Sequence, residues 1–126
     1  MAAVFGAPLT AYSAPFVCLA SVGVLDAVYH DGSDHVARAS AASTATAPAV
    51  GLVARKLSPT SCILVYKGEM PGFVGLVPAS MYYLDVAAGQ IATSPTGTVG
   101  TVLQRIGWAR NSTTLVVEID LDYQQL

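Results

Sequence analysis

Short apolar stretches rich in Val, Ile, Leu and Tyr recur along this chain, separated by clusters of Gly, Pro, Ser, Thr and Asn, and nowhere does a 3.6-residue apolar period persist. Stretches of this kind, alternating or continuous and bounded by turn residues, read as β-strands. Strands are expected over residues 22–29, 35–39, 50–55, 62–66, 81–84, 90–93, 99–110 and 113–120. Residues 39–48 (ASAASTATAP) read as a small-residue loop with room for one helical turn.

The last two stretches flank Asn111-Ser112. With those two residues as the loop, Arg105 stands opposite Glu118 as a register pair. Period-2 alternation then puts Ile106, Trp108, Leu115, Val117 and Ile119 on one face, the expected core, and Arg105, Gly107, Ala109, Thr114, Val116 and Glu118 on the other. A slip by one residue would bury Glu118 without its counter-charge, which is costly. An exposed pair contributes only about 0.5 kcal/mol, so its value lies in register.

The strand pattern repeats. Ala27-Val28-Tyr29-His30-Asp31 is echoed about 55 residues later by Met81-Tyr82-Tyr83-Leu84-Asp85, Val36-Ala37 by Ile91-Ala92, and Val50-Gly51-Leu52-Val53 by Ile106-Gly107-Trp108-Ala109. Each unit closes on a Ser/Thr-led apolar strand, Thr60 to Val65 in the first and Thr113 to Val117 in the second. The expectation is an all-β fold, a compact β-sandwich or partly closed barrel of two pseudo-repeated units.

Charge changes the picture. The chain has 126 residues, of which 53% are apolar and only 11% charged, against about a quarter in an ordinary domain, so much of its exterior is expected to be covered by partners. A net charge of -2 gives no electrostatic footprint for nucleic acid or an anionic membrane. The first charge is Asp26. Gly6, Pro8, Thr10, Ser13, Pro15, Ser21 and Gly23 interrupt the neutral run before it, which therefore supplies neither a spanning helix of about 20 apolar residues nor the basic-then-apolar order of a secretory signal. Residues 1–15 are expected to form an extended N-terminal arm ordered by lying on another chain, with Val4, Phe5, Leu9, Tyr12 and Phe16 as its contacts, and residues 16–126 a single β-domain. Cys18 and Cys62, with no C-x-x-C spacing, read as buried free thiols.

Candidate chemistry is sparse. His30, Asp31, Asp34 and His35 cluster in YHDGSDH, but Asp-Gly-Ser-Asp reads first as a turn, with Gly32 supplying a positive φ, and the spacing fits no metal motif. Glu118, Asp120 and Asp122 alternate along a strand face rather than in a Gly-turn calcium loop. No serine sits in a nucleophile elbow, Cys62 lies inside the apolar run SCILVY, and no phosphate-cradling glycine pattern occurs. The reading is of a protein that is not an enzyme and carries no cofactor or metal.

The segments Gly72-Phe73-Val74-Gly75-Leu76-Val77-Pro78, Tyr82-Tyr83-Leu84-Asp85, Gly89-Gln90-Ile91 and Val102-Leu103-Gln104-Arg105-Ile106-Gly107-Trp108-Ala109, followed by Thr113 to Asp120, resemble small β-domains of tailed-bacteriophage virion structural proteins, most of all head decoration (cement) proteins. Val22-Gly23 through Tyr29 and Ala49-Val50-Gly51-Leu52 look like the earlier part of the same pattern. The resemblance implies a protein on the outer surface of the virion capsid, made in the host cytoplasm. It would bind the major capsid protein lattice and neighbouring copies of itself, with no membrane or direct nucleic-acid partner. A tail-tip or receptor-binding module of the virion, presenting Tyr66, Tyr82, Tyr83 and Tyr123, is the alternative.

Overall fold

The computed structural model describes residues 10–95 and 97–126. Twelve strands are found among them: β1 (Ala11–Tyr12), β2 (Phe16–Cys18), β3 (Ala27–His30), β4 (His35–Arg38), β5 (Gly51–Ser58), β6 (Ser61–Pro71), β7 (Met81–Leu84), β8 (Ile91–Ala92), β9 (Val102–Leu103), β10 (Arg105–Ala109), β11 (Thr114–Glu118) and β12 (Gln124–Gln125). The one helical turn among the described residues, Thr44–Thr46, lies in the small-residue loop and is capped by the Ser43 hydroxyl. The fold is all-β, of sandwich or partly closed barrel type.

One sheet runs β2-β4-β3-β5-β6-β11-β10-β7-β8, and β9 and β12 form a small second sheet. Either side of the β6–β11 junction the order reads the same outward, with β5, β3 and β4 matched by β10, β7 and β8. The registers match too. Ala27 faces Leu52 as Met81 faces Trp108, and Val28 faces Gly51 as Tyr82 faces Gly107. Tyr29 faces Ala37 as Tyr83 faces Ala92. The two pseudo-repeated units thus exist as two copies of one pairing scheme. The closing strands align differently from the Ser/Thr-led match: Leu52 faces Val65 as Trp108 faces Val116, which makes Val65 equivalent to Val116.

The two units turn opposite faces to their shared core. Ala27, Leu52 and Val65 from the first pack there with Tyr82, Ala109, Leu115 and Val117 from the second. The reverse face of the first unit, with Val28, Val36, Val53 and Leu64, is covered by Cys18 and Val22 in a smaller cluster. β6 makes the inversion. It pairs with β5 over Ser61–Val65 and with β11 over Lys67–Pro71, and between those stretches sits Gly68 at φ 101°, a conformation that costs other residues dearly. Leu64 accordingly belongs to the small cluster, whereas Met70, which simple alternation would put on the same side, belongs to the main core.

The terminal hairpin differs from its expected register. Ala109 pairs with Leu115, Trp108 with Val116 and Gly107 with Val117, one residue away from the Arg105–Glu118 alignment. The loop holds three residues, not two, closed by Arg110 N–H donating to Thr114 O at 2.9 Å. Two-residue hairpin loops favour positive φ at their centre, which neither Asn111 nor Ser112 adopts. Instead, Asn111 Oδ1 accepts from the amides of Thr113 and Thr114, both at 2.9 Å. Arg105 therefore faces Tyr83 on β7, and Glu118 faces Lys67 on β6.

Ile106, Leu115 and Val117 are fully buried, and Ile119 packs partly buried against the same core. Trp108, expected beside them, is 37% exposed. A register break between Arg105 and Gly107 on the β7 side inserts Ile106 as an extra inward residue and restarts the alternation.

The boundary expected at residue 15 lies between β1 and β2. Ala11 and Tyr12 pair with β6, Ser13 exchanges hydrogen bonds with Leu64 at 2.8 and 2.9 Å, and Thr10 Oγ1 donates to Glu69 O. The described part of the arm, residues 10–15, lies along β6 of its own chain.

Candidate functional site

No catalytic constellation forms among the described residues. The YHDGSDH segment is the turn between β3 and β4, with Gly32 at φ 87° and Asp34 at φ 65°. Asp31 Oδ1 accepts from the Ser33 amide at 2.8 Å, and that bond, aided by the nearby His35 and His30, holds the Asp31 carboxyl below the usual carboxylate range. Glu118 accepts from the Trp108 indole N–H at 2.8 Å, while Asp120 accepts from the amide of Asp122, so these carboxylates serve separate local bonds. No group of three or more His, Cys, Asp or Glu that could hold a metal ion occurs among the described residues. Cys18 and Cys62 are buried and unbridged.

The distinctive surface places exposed valines on hydrogen-bonded turns. It begins with the Gly72–Pro78 segment, where β6 ends. Gly72 at φ 104° and Gly75 at φ 76° bend the chain so that Phe73 and Leu76 turn inward, while Val74 is left 92% exposed and Val77 about half exposed. The loop is pinned to the hairpin: Phe73 N–H donates to Thr113 O at 3.1 Å and Leu76 N–H to Ser112 O at 3.0 Å. The Val77 amide donates to the hydroxyl of Tyr82 at 2.9 Å. That bond explains why Tyr82, a sequence candidate for a recognition surface, is instead buried with its hydroxyl satisfied.

A second turn stands beside the first. Val24, 52% exposed, is held out by the Asp26 carboxylate, which accepts from the Gly23 amide at 2.8 Å, and by Leu25, at φ 76°, whose amide donates to Val53 O. Val24 and Val74 form the lips of one cleft of about 400 Å³ whose walls include Leu25, Phe73, Leu76, Tyr82 and Ile91. An exposed valine costs nothing to fold but offers apolar area to a partner.

Across the end of β6 lies another groove, of about 430 Å³, lined by Tyr12, Ala54, Arg55, Ile63, Met70 and Pro71. Of the five arm contacts expected from sequence, Tyr12 stands on this groove 59% exposed, and Phe16 packs partly buried against the smaller cluster. Val4, Phe5 and Leu9 lie outside the described residues. Val24, Val74 and Val77 are not among the contacts expected from sequence. The two glycines of G-F-V-G were the available signal for a bend at this place, and both adopt positive φ.

Among the described residues no helix is long and apolar enough to cross a membrane. Compared with protein-family models, curated proteins and solved structures, the chain matches none of them.

Proposed function

We propose that this chain is a structural protein of a tailed-bacteriophage virion that decorates the capsid and stabilises it by binding the lattice of the major capsid protein. The reading rests on the sequence resemblance, and one structural observation supports it: Val74 and Val24 are held outward on fixed turns rather than packed. A free domain gains nothing from exposing these valines, whereas a protein seated on a shell buries them, at about 1.5–3 kcal/mol per side chain. The scarcity of charge acts in the same direction, because charged groups would have to be desolvated at a large contact. A subunit that binds only the assembled lattice stabilises it by mass action.

The experiment is binding of the purified chain to heads that lack it, with Val74→Asp and Val24→Asp as variants. Both positions are exposed, so both variants should keep the unfolding midpoint of the parent, and each should lose about 100-fold or more in affinity for heads. Heads that bind the variants as tightly as the parent would overturn the reading. Antibody label on tails instead of heads in intact particles would move the protein to the tail tip.

A further inference from the structure

We propose that Cys18 and Cys62 are a disulfide site, and that an intrachain bridge between them staples the N-terminal strap to β6 in oxidising surroundings. The geometry comes from the pairing of β2 with β6. Phe16 faces Cys62 and Val17 faces Ser61, and the Cys18 amide donates to Thr60 O at 3.0 Å. Cys18 and Cys62 are therefore diagonal neighbours on one face of adjacent antiparallel strands. Both are essentially fully buried in the same cluster with Val22, Val28, Val36, Val53 and Leu64. A bridge needs Cα atoms about 4.4–6.8 Å apart, slightly closer than an average diagonal pair. β2, three residues long and held between β4 on one side and β6 on the other, is the short element whose shift along β6 would close that gap.

Burial, and then contact with Cys18, pushes the Cys62 thiol up to about 12. The thiolate, which is the attacking species, is thus scarce while β2 is docked, and exchange proceeds when β2 lifts or before it docks during folding. In that open state one cysteine loses its proton and attacks a small-molecule disulfide, forming a mixed disulfide and releasing one small thiol. The second cysteine attacks the protein sulfur of that mixed disulfide and releases the second small thiol. Two protein thiols are oxidised by two electrons with loss of two protons, and one small disulfide is reduced to two thiols. The bridge encloses β3, β4 and β5, so it fastens the strap across most of the first unit.

The test refolds the reduced full chain in glutathione buffers of graded redox ratio, quenches with an alkylating agent and maps the products by mass, in parallel with the same buffers in denaturant. The expected product is a monomer lacking two hydrogens and bridged between Cys18 and Cys62. Its effective thiol concentration should be about 10-fold or more higher in native buffer than in denaturant, by linkage to folding. The bridged form should melt about 10 °C higher, and the gain should vanish on reduction. An effective concentration no higher than in denaturant, products that are only mixed disulfides or dimers, or a bridged form that melts lower than the dithiol would each overturn the proposal.

Discussion

Gly51 and Gly107 occupy the same register position in the two units. Gly51 faces Val28 on β3 and Gly107 faces Tyr82 on β7, and each lies beneath the carbonyl of an equivalent valine, Val65 or Val116. The next strand comes close at both positions, but only at Gly107 too close for a Cβ. A methyl at Gly51 would stand 3.1 Å from Leu64 Cβ and 3.3 Å from Val65 O, tight contacts that small shifts relieve. At Gly107 it would be driven into Val116 O, a main-chain atom fixed by pairing on both sides of β11. Gly107→Ala should therefore cost about 3 kcal/mol or more and Gly51→Ala about 1 kcal/mol, as read from denaturant midpoints at constant slope. Equal costs would contradict the packing.

Much of this fold is legible in residue order because its signals are local. The short β-branched runs located β4, β5, β7 and β11 to within a few residues of their ends, and the echo of Val50-Gly51-Leu52-Val53 in Ile106-Gly107-Trp108-Ala109 marked the duplication, whereas the run expected over 22–29 becomes strand only from Ala27. What escaped was set by distant partners. β1, β2 and β12 are two- or three-residue strands created by the edge they lie on, with no apolar period of their own. The inversion at Gly68 depends on β6 changing partners, and the three-residue loop depends on where the Asn111 side chain finds donors. Of the surface, the scarcity of charge was legible, but the outward pose of Val24 and Val74 depends on turns closed by hydrogen bonds to other segments.

Trp108 is the equivalent of Leu52, yet Leu52 is fully buried and the indole is not, because the second unit turns this face to solvent. As the chain's single tryptophan it is a clean reporter. Its fluorescence should be red-shifted and readily quenched by acrylamide in the folded protein. Trp108→Phe should cost no more than about 1 kcal/mol, against about 3 kcal/mol for Ile106→Ala in the core. A blue-shifted, protected emission would place the indole inside and contradict the hairpin register.

Asp31 makes a pH test of the β3–β4 turn. Its carboxylate accepts from the Ser33 amide, and the folded state holds it deprotonated to lower pH than the unfolded chain does. A depressed folded value stabilises the native state above the unfolded carboxylate's pKa, and the contribution is lost as pH falls through the folded one. The Ser33 amide resonance should therefore titrate with a midpoint below that of an ordinary aspartate, and Asp31→Ala should abolish the transition. A midpoint at or above the ordinary value would show that the bond does not persist in solution.

Gln104 joins the two units at a point invisible to hydrophobic patterning. It is 1% exposed, and its side chain is satisfied: Oε1 accepts from the Ala49 amide at 2.8 Å, while Nε2 donates to Ala49 O at 2.9 Å and Asp120 O at 3.1 Å. The amide thus clamps the start of the strand leading into β5 to the end of the last hairpin. Gln104→Leu fills similar space but strands one buried donor and two carbonyls, and should cost about 2–4 kcal/mol. Gln104→Glu separates the polar term from the packing. One carboxylate oxygen can still accept from Ala49, but the other would face two carbonyl oxygens, so the folded state favours the protonated acid and raises its pKa above the unfolded value. The stability that proton confers is full below the unfolded pKa and is lost as pH rises through the folded one. The deficit of Gln104→Glu relative to the parent should accordingly shrink as the solution is acidified from neutral pH, whereas that of Gln104→Leu should stay constant. Parallel pH profiles for the two variants would mean that the Ala49 and Asp120 carbonyls do not both point at this side chain.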